Sequence, residues 1–232
     1  YYSEMIRNMG TSAIAADDIK VRYAVIIRKT EIYCWPSAER VRNGKHDHDF
    51  NRNLVDSLIT GDRVAVVHTS PDGEWIFVMT GFVDGWIRTR DAALGSKEGV
   101  ADYPGKDFLV ITSPDAVTES GLKLDMGTRL EFYARRDGLY IVKLPSSNEE
   151  GGLVFAEDRI QADFVHEGFL PYTKRGVIET AFKFLGSPYS WGGGKEGEDC
   201  SSYIKTVFGM FGIELPRSST AQSPVGRMVL RK

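Results

Sequence analysis

The sequence predicts a multidomain chain in which two small all-β units precede a helical third block. Three observations predict it. The length, 232 residues, exceeds what one small domain needs. From Tyr23 to about residue 160, short runs rich in β-branched and aromatic residues alternate with Gly- and Pro-bearing turns. After Val165 the apolar spacing changes to a helical period.

Residues 1–25 are weakly patterned and read as a short helix with an entry strand. The first β unit, residues 26–98, holds the runs AVIIRK, RVAVVHT, EWIFVMT and GWIRTRDAAL. Ser70-Pro71-Asp72-Gly73 joins two of them as a hairpin turn, because Pro suits an early turn position and Gly a left-handed one. The polar insert NGKHDHDFNRN reads as a long loop, and Trp75 and Trp86 are open to use either as groove aromatics or as core. The loop SKEGVADYPGKD leads to the second unit, residues 105–164, with strands DFLVIT, TRLEFYARRD, LYIVKLP and GGLVFAEDRI and a turn at Arg136-Asp137-Gly138. In the third block, residues 165–232, Thr173 caps a helix whose Val177, Ile178, Ala181, Phe182 and Leu185 share one apolar face. A second helix from about Cys200 to Phe211 turns Ile204, Val207, Phe208 and Phe211 inward and stops at Gly212.

Composition limits the function classes. Hydrophobic residues make up 42% and charged residues 26%, enough to bury real cores. A formal net charge of -3 argues against nucleic acid as a partner, since phosphate binding needs clustered Lys and Arg. No apolar run approaches the roughly 18 residues of a membrane span. Cys34 and Cys200 form no CxxC pair or metal-spaced set, and no metal or cofactor is expected. They lie in different predicted units, which argues against a disulfide between them.

The chemistry concentrates in PYSWGGGKEGEDCSSY, residues 188–203. Asp199-Cys200-Ser201 stands where a glycine-rich loop becomes a helix N-terminus, and unpaired N–H groups with the positive end of the helix dipole stabilise a thiolate at such a place. The glycines permit close backbone approach, and turn N–H groups can serve an oxyanion. The residues alone also allow a second reading, with Cys200 as a small buried core residue, Tyr189 and Trp191 as core aromatics and Asp199 as a simple helix cap.

The run from Pro188 to Gln222 resembles the amino-terminal half of the NlpC family of bacterial cell-wall cysteine peptidases. Gly186, Pro188, Tyr189, Trp191, Gly192, Gly193, Asp199, Cys200, Ser201, Leu215, Pro216, Arg217, Ser219 and Gln222 match its pattern in order, while Ser202 stands where the family usually has Gly. The two β units are similar to the bacterial SH3-like domains attached to many of these peptidases. The resemblance implies two SH3-like barrels followed by part of a papain-like α+β domain. It implies hydrolysis of the bond between γ-D-glutamyl and a diamino acid in peptidoglycan stem peptides, in the periplasm or cell wall. Cys200 would be the nucleophile and Tyr189 would flank the sulfur. Asp199 and Ser201 would line the pocket for a free amine, with Ser219 a further polar contact. The first SH3-like domain would narrow the cleft.

The family's histidine base and its polar partner follow the cysteine, yet His46, His48, His68 and His166 all precede Cys200. The expectation is therefore a fragment without its base, inactive alone, whose tail SPVGRMVLRK begins the strand region. The alternative is a non-catalytic wall-binding protein whose barrels carry the function.

Overall fold

The computed structural model describes residues 2–11, 19–42, 44, 50–194 and 197–227, so His46, His48 and most of the expected strand start at the tail lie outside the described residues. Helix α1, Tyr2–Met9, buries Met5 and rests Met9 on an aromatic cluster of Tyr33, Trp75 and Trp86. The His68 imidazole Nε2 lies 2.7 Å from the Met9 carbonyl, which fixes the helix end. Trp75 and Trp86 are thus core residues, 3% and 1% exposed, and neither is a groove aromatic.

Seven antiparallel strands form the first sheet: β1 Arg22–Ile26, β2 Thr30–Tyr33, β3 Leu54–Leu58, β4 Arg63–Thr69, β5 Trp75–Met79, β6 Asp84–Arg88 and β7 Ala92–Gly95. Their order is β3-β2-β6-β5-β4-β1-β7, with β3 at one edge. Ala24, Ile26, Ile32, Val64, Val66, Ile76, Val78 and Ile87 fill the interior. Short β2 and β3 do not stand out from the loops in the sequence, since four or five residues give a period-2 signal little room. The linker read as loop contains α2, Lys97–Asp102, whose Ser96 Oγ accepts from the Gly99 amide at 3.0 Å.

The second sheet has strands β8 Phe108–Ile111, β9 Arg129–Arg136, β10 Leu139–Ser147, β11 Leu153–Gln161 and β12 Val165–Glu167, ordered β11-β10-β9-β8-β12. Leu109, Ile111, Leu124, Leu130, Val142 and Ile160 form its core. Tyr103, in the linker, donates its hydroxyl to the Lys143 carbonyl at 3.0 Å and so ties the linker to this sheet.

The third unit packs α3, Lys174–Phe182, against α4, Cys200–Gly209, and its last helix among the described residues is α5, Ser219–Gln222. Thr173 caps α3 by accepting from the Gly176 amide at 3.0 Å. Val177 and Ala181 join Val207, Met210 and Phe211 in a cluster that also takes Met126 from the second unit. The expected single apolar face of α3 is split. Ile178, Phe182 and Leu185 are exposed, at 56%, 66% and 82%, and Ile204 of α4 is also exposed. Helical spacing marked an apolar stripe wider than the side that α4 covers. Among the described residues, no helix is long and apolar enough to cross a membrane.

Candidate active site

The site begins on the first sheet. Edge strand β3 reads Leu-Val-Asp-Ser-Leu, and burial alternates so that Leu54, Asp56 and Leu58 are buried while Val55 and Ser57 are half-buried. The turn Trp191–Gly193 lies on this strand. Trp191 donates its indole N–H to the Leu54 carbonyl at 3.2 Å, and Ser57 donates its hydroxyl to the Gly193 carbonyl at 2.5 Å. Gly192 sits at φ +76°, and a Cβ there would stand 2.6 Å from Leu54 Cγ. Glycine is required twice over, by conformation and by space.

From this turn the chain enters α4 through Asp199. Its Oδ1 accepts from the Ser201 amide (3.1 Å), the Ser202 amide (2.8 Å), the Ser201 hydroxyl (3.1 Å) and Arg217 Nη1 (3.2 Å). Its Oδ2 accepts from the Gly192 amide (3.1 Å) and Arg217 Nη2 (2.6 Å). The Ser202 hydroxyl returns the cap by accepting from the Asp199 amide at 2.8 Å, a capping box. Burial pushes the Asp199 carboxyl up, but the Arg217 hydrogen bonds and charge and the Ser202 amide outweigh it and hold it below the usual carboxylate range.

Arg217 is itself buried, and its remaining bonds go to the Ser201 hydroxyl at 2.8 Å and, through Nε, to Asp56. Lys205 of α4 reaches the other Asp56 oxygen at 3.2 Å. Sequence reasoning missed Asp56 as a site residue. Its signal was there: an acid on the Leu54–Leu58 side of an alternating strand demands a buried partner.

Cys200, the first residue of α4, is exposed and carries a free thiol. The cap takes the next two amides, so the Cys200 amide is the open first-turn donor beside the sulfur. A cavity of about 440 Å3 opens at this point, lined by Phe182, Leu185, Pro188, Tyr189, Cys200 and Tyr203 among others. Tyr189 is 58% exposed and is not a core aromatic. Desolvation, with the charges of Asp199 and Cys200, pushes its hydroxyl up, so it stays protonated and able to donate.

Of the other expected site residues, Asp199 lines the same cavity, whereas Ser201 and Ser219 do not. Asp199 and Ser201 are buried beneath Cys200, and the carboxylate proposed for an ammonium is already engaged by the donors named above. Ser219 is exposed at the start of α5 and does not line the cavity. Gln222 instead ties α5 to the Ser201 and Pro216 carbonyls, at 2.9 and 2.8 Å. Neither described histidine lines the cavity, since His68 holds Met9 and His166 Nδ1 lies 3.1 Å from the Gly168 carbonyl. Cys34 is also free and exposed, and burial pushes its thiol up. No group of three or more His, Cys, Asp or Glu among the described residues could hold a metal ion.

Comparison with known proteins matches residues 40–88 to an SH3 domain of the SH3b1 type and residues 186–232 to the NlpC/P60 family. A γ-D-glutamyl-L-lysine dipeptidyl-peptidase of Bacillus cereus is 26% identical over 201 residues, covering 76% of this chain and 56% of the relative. Its Bacillus subtilis counterpart is 26% identical over 189 residues, covering 74% and 58%. The chain spans little more than half the length of these curated relatives. A probable endopeptidase p60 of Listeria monocytogenes is 55% identical over 47 residues, 20% of this chain and 10% of that protein. An NlpC/P60 endopeptidase structure from Photobacterium damselae subsp. piscicida superposes with a TM-score of 0.80 at 19% identity, covering 95% of this chain and 50% of that one. An NlpC/P60 family structure from Bacillus cereus gives 0.74 at 22% identity, covering 90% and 79%. At these identities the two structures establish a shared fold.

Proposed function

We propose that the chain, whose residues 40–88 match an SH3 domain of the SH3b1 type and residues 186–232 the NlpC/P60 family, belongs to a cysteine endopeptidase cutting γ-D-glutamyl to diamino acid bonds of peptidoglycan stem peptides. The observation that carries this reading is an exposed thiol on the first residue of a capped helix, facing an open cavity that Tyr189 also lines.

In this reading Cys200 attacks the γ-carbonyl as a thiolate, and a carbon–sulfur bond forms as the carbon–nitrogen bond to the diamino acid breaks. The Cys200 amide and the Tyr189 hydroxyl stabilise the oxyanion. Water then releases the γ-glutamyl product from the thioester. Asp199 and Ser201 keep the helix end fixed, and Asp199, which lines the cavity, also receives the free amine, with Ser219 a further polar contact once substrate is bound. A group must take the thiol proton as base and then give a proton to the leaving amine as acid, and no histidine follows Cys200 in the sequence. We infer that these 232 residues hold the nucleophile without its base and do not turn over alone, and that the work is done at the cell wall. The wall-binding alternative loses the aromatics it relied on, because Trp75 and Trp86 are buried.

The test is substrate protection. An excess of L-Ala-γ-D-Glu is expected to slow iodoacetamide alkylation of Cys200 severalfold and leave Cys34 unaffected, read by peptide mass spectrometry. An N-acetylated dipeptide should protect less, because it lacks the charge for an ion-assisted hydrogen bond to Asp199, which lines the cavity. Equal alkylation of Cys200 with and without the dipeptide contradicts the substrate class.

A further inference from the structure

We propose that Asp56, on the edge strand of the first barrel, is a positioning residue for Cys200, so that the barrel is a structural part of the nucleophile site. The inference rests on the reading of Cys200 as nucleophile.

Asp56 is 1% exposed, Arg217 8% and Asp199 7%. The three form one chain of buried charge: Asp56 holds Arg217 Nε, and the Arg217 fork holds both Asp199 oxygens. Asp199 in turn fixes the amides on either side of the nucleophile, Gly192 in the turn and Ser201 and Ser202 in the helix. Lys205 gives Asp56 a second grip, farther along α4. A single carboxylate of the barrel therefore holds α4 by its capped end and by its flank.

Stability alone does not account for such an arrangement. A buried ion cluster is often no better for folding than apolar residues of the same volume, and its best-attested use is to fix one geometry among several. The guanidinium is planar, so Asp56 at Nε sets the orientation of the plane that meets Asp199. Without Asp56 the plane is free to turn, the two Asp199 contacts lengthen, and the first turn of α4 loses its reference to the barrel. The shift needed to matter is small, because misplacing a reacting group by about 1 Å costs up to about 100-fold in rate.

The experiment uses the whole chain with Cys34→Ser, so that alkylation reports Cys200 alone. Two signals are followed: the iodoacetamide rate, and the 1H–15N resonances of Gly192, Ser201 and Ser202, whose amides all donate to Asp199. Asp56→Ala is expected to slow alkylation about tenfold and to move all three resonances in a chain that remains folded by circular dichroism. Asp56→Asn keeps the shape and loses the charge, and should move the same resonances by less; it decides the question if the alanine variant fails to fold. Tyr103→Phe removes a bond between the linker and the second barrel that involves none of Asp56, Arg217 or Asp199, and should change neither signal. Folded Asp56 variants with an unchanged rate and unmoved resonances overturn the proposal. Absence of substrate protection at Cys200 in the unsubstituted chain overturns the functional reading instead, and the three resonances still decide whether Asp56 positions the helix.

Discussion

Replacing Arg217 with methionine is expected to cost about 3–5 kcal/mol of folding stability near pH 7, because it strands buried carboxylates. Asp199 loses both Nη contacts and Asp56 loses its Nε partner, with only half-exposed Lys205 left to answer it. The effect should depend on pH in a defined sense. In the native chain the Asp199 pKa is depressed, so its contribution is present above the unfolded carboxylate value of about 4 and fades as pH falls through the folded value. In the variant, burial dominates and the Asp199 pKa rises, so the penalty exists at neutral pH and is relieved by protonation. The gap between the two proteins should therefore narrow from about pH 7 to about pH 4. Urea unfolding at both pH values measures it, and a gap that stays constant or widens on acidification contradicts the assignment.

Gly192→Ala is the second large effect. The position requires φ +76°, and the added methyl meets Leu54 Cγ at 2.6 Å and Cδ2 at 2.9 Å. A left-handed non-glycine residue costs about 1–2 kcal/mol, and overpacking adds about 1–3 kcal/mol. Leu54→Ala removes the obstructing side chain and costs about 2–5 kcal/mol by itself. The double variant separates the two causes, since clearing Leu54 relieves the collision and leaves the backbone strain. Its loss should fall short of the sum of the single losses by about 1–3 kcal/mol. Additive losses in denaturant unfolding place the whole cost in the backbone and contradict the contact between strand β3 and the glycine turn.

Local signals made much of this architecture readable from sequence. Val64, Val66, Ile76 and Val78 alternate into the first core as their strands predict, and Thr173 caps α3. The Asp-Cys-Ser step at a helix start is likewise a short-range pattern, and Cys200 opens α4. What could not be read depended on distant partners. The chain of charge from Asp56 through Arg217 to Asp199 joins residues 161 positions apart, and no local spacing states that pairing. Helical period placed Ile178, Phe182 and Leu185 on the inward side, yet of that face Val177 and Ala181 join the cluster with α4, leaving Phe182 and Leu185 to line the cavity at Cys200. The family pattern offered Asp199 to a substrate amine, and no local spacing showed that its carboxylate is also held by Arg217, a residue eighteen positions later in the chain.

These features converge on one claim, that Cys200 is the nucleophile and that a buried guanidinium–carboxylate network presents it from the barrel side. The most direct measurement is the site of covalent capture. An L-Ala-γ-D-Glu acyloxymethyl ketone should give a single thioether adduct on Cys200, persisting in Cys34→Ser and absent in Cys200→Ser. An adduct on Cys34, or one that survives Cys200→Ser, contradicts the account.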